Sequence, residues 1–241
     1  AAVANAGEEI QKEEFTLTKK LPAKKHANAQ FVNEITTSDD EALGQPPSAT
    51  RTVLDLPKQF KINNDDFPKC KTDAAGLGAA PTTEDAKAAC GPKSQVSSDA
   101  GSSAVIRTNL APPFDVVDVD VLAFNEDGDQ LLLYSKPTGP AASIPASILI
   151  GKLKKFGAVK GVSRPAGPYK QSLDVSIPEL AAGAIAYFGV TIPKSEYIQA
   201  KCKPKTVEAQ ATTMFSNGGG ADGSQPQQST DDHSVKCKVK K

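Results

Sequence analysis

The chain contains no tryptophan, one methionine, two histidines and only 5% aromatic residues. A core built from it must be packed mainly with Val, Ile, Leu and Ala, helped by nine Phe and four Tyr. A sugar-stacking platform needs exposed rings, and little is available for one beyond Tyr134, Tyr169, Tyr187 and Tyr197. Net charge is missing too, since 28 basic residues balance 28 acidic ones. A nucleic-acid groove leaves a basic excess, so no nucleic acid is expected as a partner. No run approaches the roughly 20 apolar residues of a membrane-spanning helix, and no transmembrane segment is expected. No Asn-x-Ser/Thr acceptor occurs, which argues against a glycosylated eukaryotic secreted protein.

Catalytic signatures are equally scarce. No serine sits in a Gly-x-Ser-x-Gly elbow, and His26 and His233 both fall in polar segments that read as exposed. Gly76-Leu77-Gly78 lacks the third glycine and the strand–helix setting of a dinucleotide site. Asp118 and Asp120 share one face of a predicted strand with Asp115 nearby, and alternating Asp most often marks a solvent face. Asn125, Asp127, Gly128 and Asp129 suggest a calcium loop. Ala123 and Tyr134 occupy its first and twelfth positions, so the segment reads as a turn. Lys136-Pro137-Thr138-Gly139 also reads as a turn. The expectation is a protein that is not an enzyme and has no cofactor or metal.

What the chain does contain is 18 Gly, 18 Pro and four Cys. Many turn residues suit short strands better than long helices. The cysteines form two separated couples, Cys70 with Cys90 and Cys202 with Cys237, without the C-x-x-C or nearby His of a metal site. Two intrachain disulfides are expected. Three connectivities are open in principle, and nearest-neighbour pairing closes two modest loops. Disulfides imply an oxidising compartment. The opening Ala1-Ala2-Val3-Ala4-Asn5-Ala6 is similar to the small-residue end of a secretory signal. A secreted, extracellular or cell-surface location follows as an expectation.

Along the chain, residues 1–13 read as a flexible leader and residues 14–241 as a single domain. Phe15, Leu17 and Leu21 alternate over Glu14–Leu21, as on a half-buried strand. Further strands are predicted at Gln30–Thr37, Arg51–Leu56, Ser103–Leu110, Ser147–Lys155, Ser172–Ile177 and Ala184–Ile192. Ser38 to Thr50 reads as a loop. The strongest signal is Val116–Phe124 followed, after Asp127-Gly128, by Gln130–Ser135, since an Asp-Gly between two such runs predicts a hairpin. Pro178 and Pro193 are read as strand ends. Pro57 to Pro92 is a polar excursion held by Cys70 and Cys90, with one short helix over Glu84–Ala89 capped by Thr82 or Thr83. A last hairpin is predicted from Tyr197–Phe215 and Ser234–Val239, with a mobile connection from Asn217 to Asp232. About ten strands in all predict an all-β sandwich or jelly roll.

Two runs carry a resemblance. Val53-Leu54-Asp55-Leu56-Pro57-Lys58-Gln59-Phe60-Lys61-Ile62-Asn63 leads to Phe67-Pro68-Lys69-Cys70, and Ala89-Cys90-Gly91-Pro92-Lys93-Ser94-Gln95-Val96 follows. With Tyr197–Cys202 and Val235–Cys237, they resemble a group of uncharacterised secreted β-rich proteins of high-GC Gram-positive bacteria (actinobacteria). Gly91 before Pro92, and Ser98 where that group has glycine, depart from its pattern. The resemblance implies export and cysteine pairing and carries no catalytic residue. The leading functional expectation is a non-enzymatic structural protein of the cell surface. It would self-associate into a filament if the strand bearing Phe15, Leu17 and Leu21 complemented a neighbour's sheet. The alternative is an extracellular module binding a cell-wall polymer, glycan or lipid. The basic runs Lys19 to Lys25 and Lys236 to Lys241 suit anionic wall polymers or lipid head groups, or else charged edges that resist aggregation.

Overall fold

A computed structural model of the chain describes residues 11–38, 48–178, 183–216 and 228–240. Local pattern accounts for most elements. The hairpin of β7 (Val116–Glu126) and β8 (Gln130–Pro137) pairs in register from Val119 opposite Pro137 to Glu126 opposite Gln130. Its turn takes positive φ at Gly128 (67°) and Asp129 (57°), the left-handed backbone that tight hairpins require. The meander continues through β9 (Ser147–Lys155) and β10 (Tyr169–Ser176). The 18-residue β11 (Gly183–Ala200) then crosses back to pair with β3 (Ala27–Thr37), β5 (Phe60–Ile62) and β6 (Ser103–Thr108). β1 (Gln11–Leu17), β4 (Ala49–Pro57), β12 (Thr206–Phe215) and β13 (Gln228–Lys236) complete one antiparallel sheet. Its order is β1-β3-β11-β6-β7-β8-β9-β10-β4-β12-β13. The short β2 (Lys20–Leu21) and β14 (Lys238–Val239) pair in parallel apart from it.

The two ends of this sheet meet without a backbone ladder. The Glu13 N–H donates to Asp231 Oδ2 at 2.6 Å, Gln11 Nε2 donates to the Ala211 carbonyl at 3.0 Å, and the Phe15 ring stands 5.5 Å from His233. The sheet is therefore rolled nearly shut around a core from Phe15, Phe31, Leu54, Leu133, Ile192 and Val207. The all-β class and both disulfides, Cys70–Cys90 and Cys202–Cys237, are as expected. The fourteen strands among the described residues exceed the ten or so expected, and the facing halves of the sandwich belong to one continuous sheet.

Several boundaries differ from expectation for physical reasons. The leader expected over residues 1–13 is shorter than its sequence suggests, because Gln11 and Glu13 begin β1 and are buried where β1 meets β13; residues 1–10 lie outside the described residues. Phe15 and Leu17 lie on β1, which pairs along its whole length with β3 of the same chain, while Leu21 belongs to β2. Pro193 does not end a strand: β11 runs through it by shifting register between Ile192 and Ser195, the kind of irregularity that tolerates a missing donor. Tyr197–Ala200 accordingly closes β11, and β12 starts at Thr206. Gln228–Asp232, expected in a mobile loop, is strand β13; residues 217–227 of that loop lie outside the described residues. Residues 39–47 of the Ser38–Thr50 loop also lie outside them, and Ala49 and Thr50 already belong to β4.

The excursion forms two short helices rather than one. In α2 (Thr83–Cys90) the Thr82 hydroxyl caps the Asp85 N–H, as expected, whereas the Gly76-Leu77-Gly78 segment belongs to α1 (Ala74–Gly78), a helix that was not expected. Leu77, Ala86 and both cysteines pack on Leu122, Phe124, Leu132 and Tyr134, the outer face of β7 and β8, and Tyr134 donates its hydroxyl to the Ala80 carbonyl at 2.9 Å. This cover explains why the second half of β7 reads as a continuous apolar run. Cys202 and Cys237 close the base of the β12–β13 hairpin across a sequence separation of 35. Exchanging both for serine is expected to cost about 3–4 kcal/mol by the chain-entropy estimate, read from urea unfolding of the oxidised protein. A loss below about 1 kcal/mol would show that the hairpin closes without it.

Candidate functional site

The interior is incompletely filled. Alternation on β3, β8, β9 and β11 turns Phe31, Ile35, Leu133, Leu149, Val190 and Ile192 inward, and between them and the β4–β10 wall lies a cavity of about 120 Å³. Its lining is apolar except for Asn33, Thr37, Thr52 and Thr213 on one side. Leu149, Ile177, Ile185 and Phe188 line both this cavity and a second, of about 310 Å³, at the end of the sheet where β7 and β9 begin. The outer compartment thus reaches the lower end of the range for small-molecule sites, about 300–1,000 Å³. Its rim is apolar. Of the five large apolar side chains exposed among the described residues, Leu110, Phe114 and Ile144 line it and Val116 adjoins it.

β3 gives the inner cavity Asn33 and Thr37, β4 gives Thr52 and β12 gives Thr213, and Glu13 of β1 stands behind Asn33. Asn33 lines the cavity and donates from Nδ2 to Glu13 Oε1 at 2.6 Å. Glu13 is buried, and Gln11 Oε1 and Glu13 Oε2 have no hydrogen-bond partner among the described residues. Burial, opposed by the Asn33 hydrogen bond and reinforced by Asp231, pushes the Glu13 carboxyl up to about 9. The group is neutral at pH 7, so the wall behind Asn33 carries no charge there.

Other residues singled out by sequence are dispersed. Asp118 and Asp120 point to solvent from the outer face of β7, as their alternation suggested. Asn125 is buried and donates to the Asn64 and Phe67 carbonyls at 2.9 Å, anchoring the excursion. His233 packs on Phe15, while His26 is exposed at the other side of β3, its pKa lowered by partial desolvation and by Lys201. Tyr134 and Tyr197 are buried; Tyr169 and Tyr187 donate their hydroxyls to Glu208 and Glu34 at 2.7 and 2.8 Å. Among the described residues no group of three His, Cys, Asp or Glu is arranged to hold a metal, and no helix is long and apolar enough to cross a membrane. The cavity escaped sequence reading because apolar alternation looks the same whether the enclosed space is filled or hollow. The exposed Leu110, Phe114 and Ile144, each in a Pro-containing loop, were its nearest sequence signal. No protein-family model, curated protein or solved structure matches the chain.

Proposed function

We propose that the protein is a non-enzymatic extracellular module that binds an apolar small molecule, such as a lipid acyl chain, inside its rolled sheet. The observation that carries this reading is an apolar inner cavity sharing its wall with an apolar outer compartment whose rim exposes Leu110, Phe114 and Ile144. Soluble proteins seldom leave such side chains clustered at a concave site without a binding role. Two disulfides favour an oxidising compartment. A glycan platform has less support, because the tyrosines are buried or tied to carboxylates. Assembly through an N-terminal strand also has less support, since β1 already pairs with β3 and packs against β13.

Titration with N-phenyl-1-naphthylamine, which fluoresces in apolar surroundings, tests the reading. Wild type is expected to bind saturably. Leu149→Trp, which fills the shared wall, is expected to bind at least roughly tenfold more weakly while still unfolding cooperatively. No saturable signal from wild type, or equal affinity in the variant, would overturn the proposal.

A further inference from the structure

The fold segregates charge that the composition conceals. Lys19, Lys20, Lys24 and Lys25 belong to the first basic run and Lys236, Lys238 and Lys240 to the last. The parallel pairing of β2 with β14 sets Lys20 beside Lys238, with the Lys238 N–H donating to the Lys19 carbonyl at 2.7 Å and the Lys240 N–H to Leu21 at 2.8 Å. A third group joins them. The Cys202–Cys237 disulfide, with Cys202 N–H donating to the Pro22 carbonyl and Cys237 N–H to Lys205, draws Lys201, Lys203 and Lys205 to the same end. All these lysines but the half-buried Lys201 are exposed, and none has an ion-pair partner among the described residues. Residues 18–33, 197–207 and 233–240 contain no Asp or Glu. A chain of zero net charge therefore builds a concentrated cationic end and holds it with a disulfide.

We propose that this end binds a linear polyanionic polymer, one carrying repeated phosphate or carboxylate groups. The composition of the surface selects that partner. Every cation is a lysine, a point charge without the bidentate fork by which arginine fixes one phosphate geometry. The aromatic rings of these segments, Phe31 and Tyr197, are buried in the core and offer nothing to stack nucleobases or to anchor at a bilayer interface. What remains is charge density, to which a flexible polyanion conforms by releasing its counterions. The lysines sit where β3 starts and β11 ends, whereas the outer compartment lies where β11 starts, at the opposite end of the sheet. A bound polymer would thus hold the protein with the rim of the compartment facing away.

Linear polyphosphate is the probe, with vesicles of 30% phosphatidylglycerol in phosphatidylcholine and a single-stranded oligonucleotide as comparisons at equal anion concentration. Wild type is expected to bind polyphosphate at low salt and to lose about a hundredfold or more in affinity between 50 and 200 mM salt. Replacing Lys20, Lys203, Lys238 and Lys240 with Gln is expected to weaken binding at least tenfold and to lower the logarithmic salt slope by roughly two to three. These exposed side chains leave the core and the disulfide untouched, so circular dichroism of the variant should match wild type. Absence of polyphosphate binding at 50 mM salt, or an unaltered affinity and slope in the variant, overturns the proposal. So does tighter binding to the vesicles, which assigns the surface to a bilayer, or tighter binding to the oligonucleotide, which assigns it to a nucleic acid. None of these outcomes bears on naphthylamine binding inside the sheet.

Discussion

Replacing Asp55 with alanine is expected to destabilise the protein by about 3–5 kcal/mol, the usual effect of removing one partner from a buried ion pair. Asp55 sits on the outward face of β4 with no solvent exposure. It accepts hydrogen bonds from Arg164 and from the Ser172 hydroxyl, and a third from Gln210 Nε2 at 2.7 Å. Arg164 comes from the segment between β9 and β10 that lies over β4, β10 and β12. Its Nη2 donates to the Phe156 carbonyl at 2.7 Å, and its guanidinium stands 4.6 Å from the Phe156 ring centroid. The carboxylate therefore ties three strands and one strap together. Burial raises its pKa, opposed by Ser172, Gln210 and Arg164, so the network stands against a desolvation cost. Alanine would leave a guanidinium with a 6% exposed side chain facing an apolar methyl, with Gln210 and Ser172 losing their acceptor. The double variant Asp55→Leu with Arg164→Met is expected to recover much of the loss, because an apolar pair avoids the stranded charge. Urea unfolding of wild type, Asp55→Leu, Arg164→Met and the double variant closes the cycle, with Asp55→Ala measured beside them. A single-variant loss below about 1 kcal/mol would mean that the strap is held by its other contacts.

Much of the local architecture is legible in the sequence. The β7–β8 hairpin followed from alternating Val117, Val119, Val121 and Ala123 and from Asp127-Gly128, and α2 from a Thr cap with acidic residues in its first turn. Spacing also brought out the two cysteine couples. Closure of the sheet was not legible, because it depends on pairings such as β11 with β3 and β4 with β12, between segments far apart in the chain. Gln11 and Glu13 misled for a related reason: polarity signals exposure until β13 is known to lie beside β1. The basic runs could be read as runs, but their convergence needed β2 and β14 to pair from opposite ends of the described chain. As for the site, sequence supplied apolar faces and left their spacing across the interior undetermined.

Glu13 should make stability fall as pH rises across the neutral range, and Glu13→Gln should abolish that slope. The folded-state carboxyl is pushed up to about 9 by burial, from an ordinary value of 4.5. Between these values the unfolded chain has released its proton while the folded chain retains it. The unfolded state then binds fewer protons, and unfolding becomes easier by about 1.4 kcal/mol for each pH unit. The contribution is full below pH 4.5 and is lost progressively until pH 9 is passed. From pH 5 to pH 8 the wild type is expected to lose about 4 kcal/mol relative to Glu13→Gln, a difference in which other titrating groups cancel. Glutamine keeps an oxygen to accept from Asn33 Nδ2 and introduces no charge, so the β1–β3 wall should persist. The stressed element is the seam, because an ionised Glu13 would lie beside Asp231, whose carboxylate already accepts the Glu13 N–H. Urea unfolding at pH 5, 6, 7 and 8 supplies both curves, and parallel curves would mean that Glu13 is ionised in the folded protein. Amide exchange at residues 11–17 should then quicken with pH in wild type beyond the intrinsic rate, and should not in the glutamine variant. That result would make the β1–β13 seam the first part of the rolled sheet to open, next to the wall where Asn33 meets the cavity.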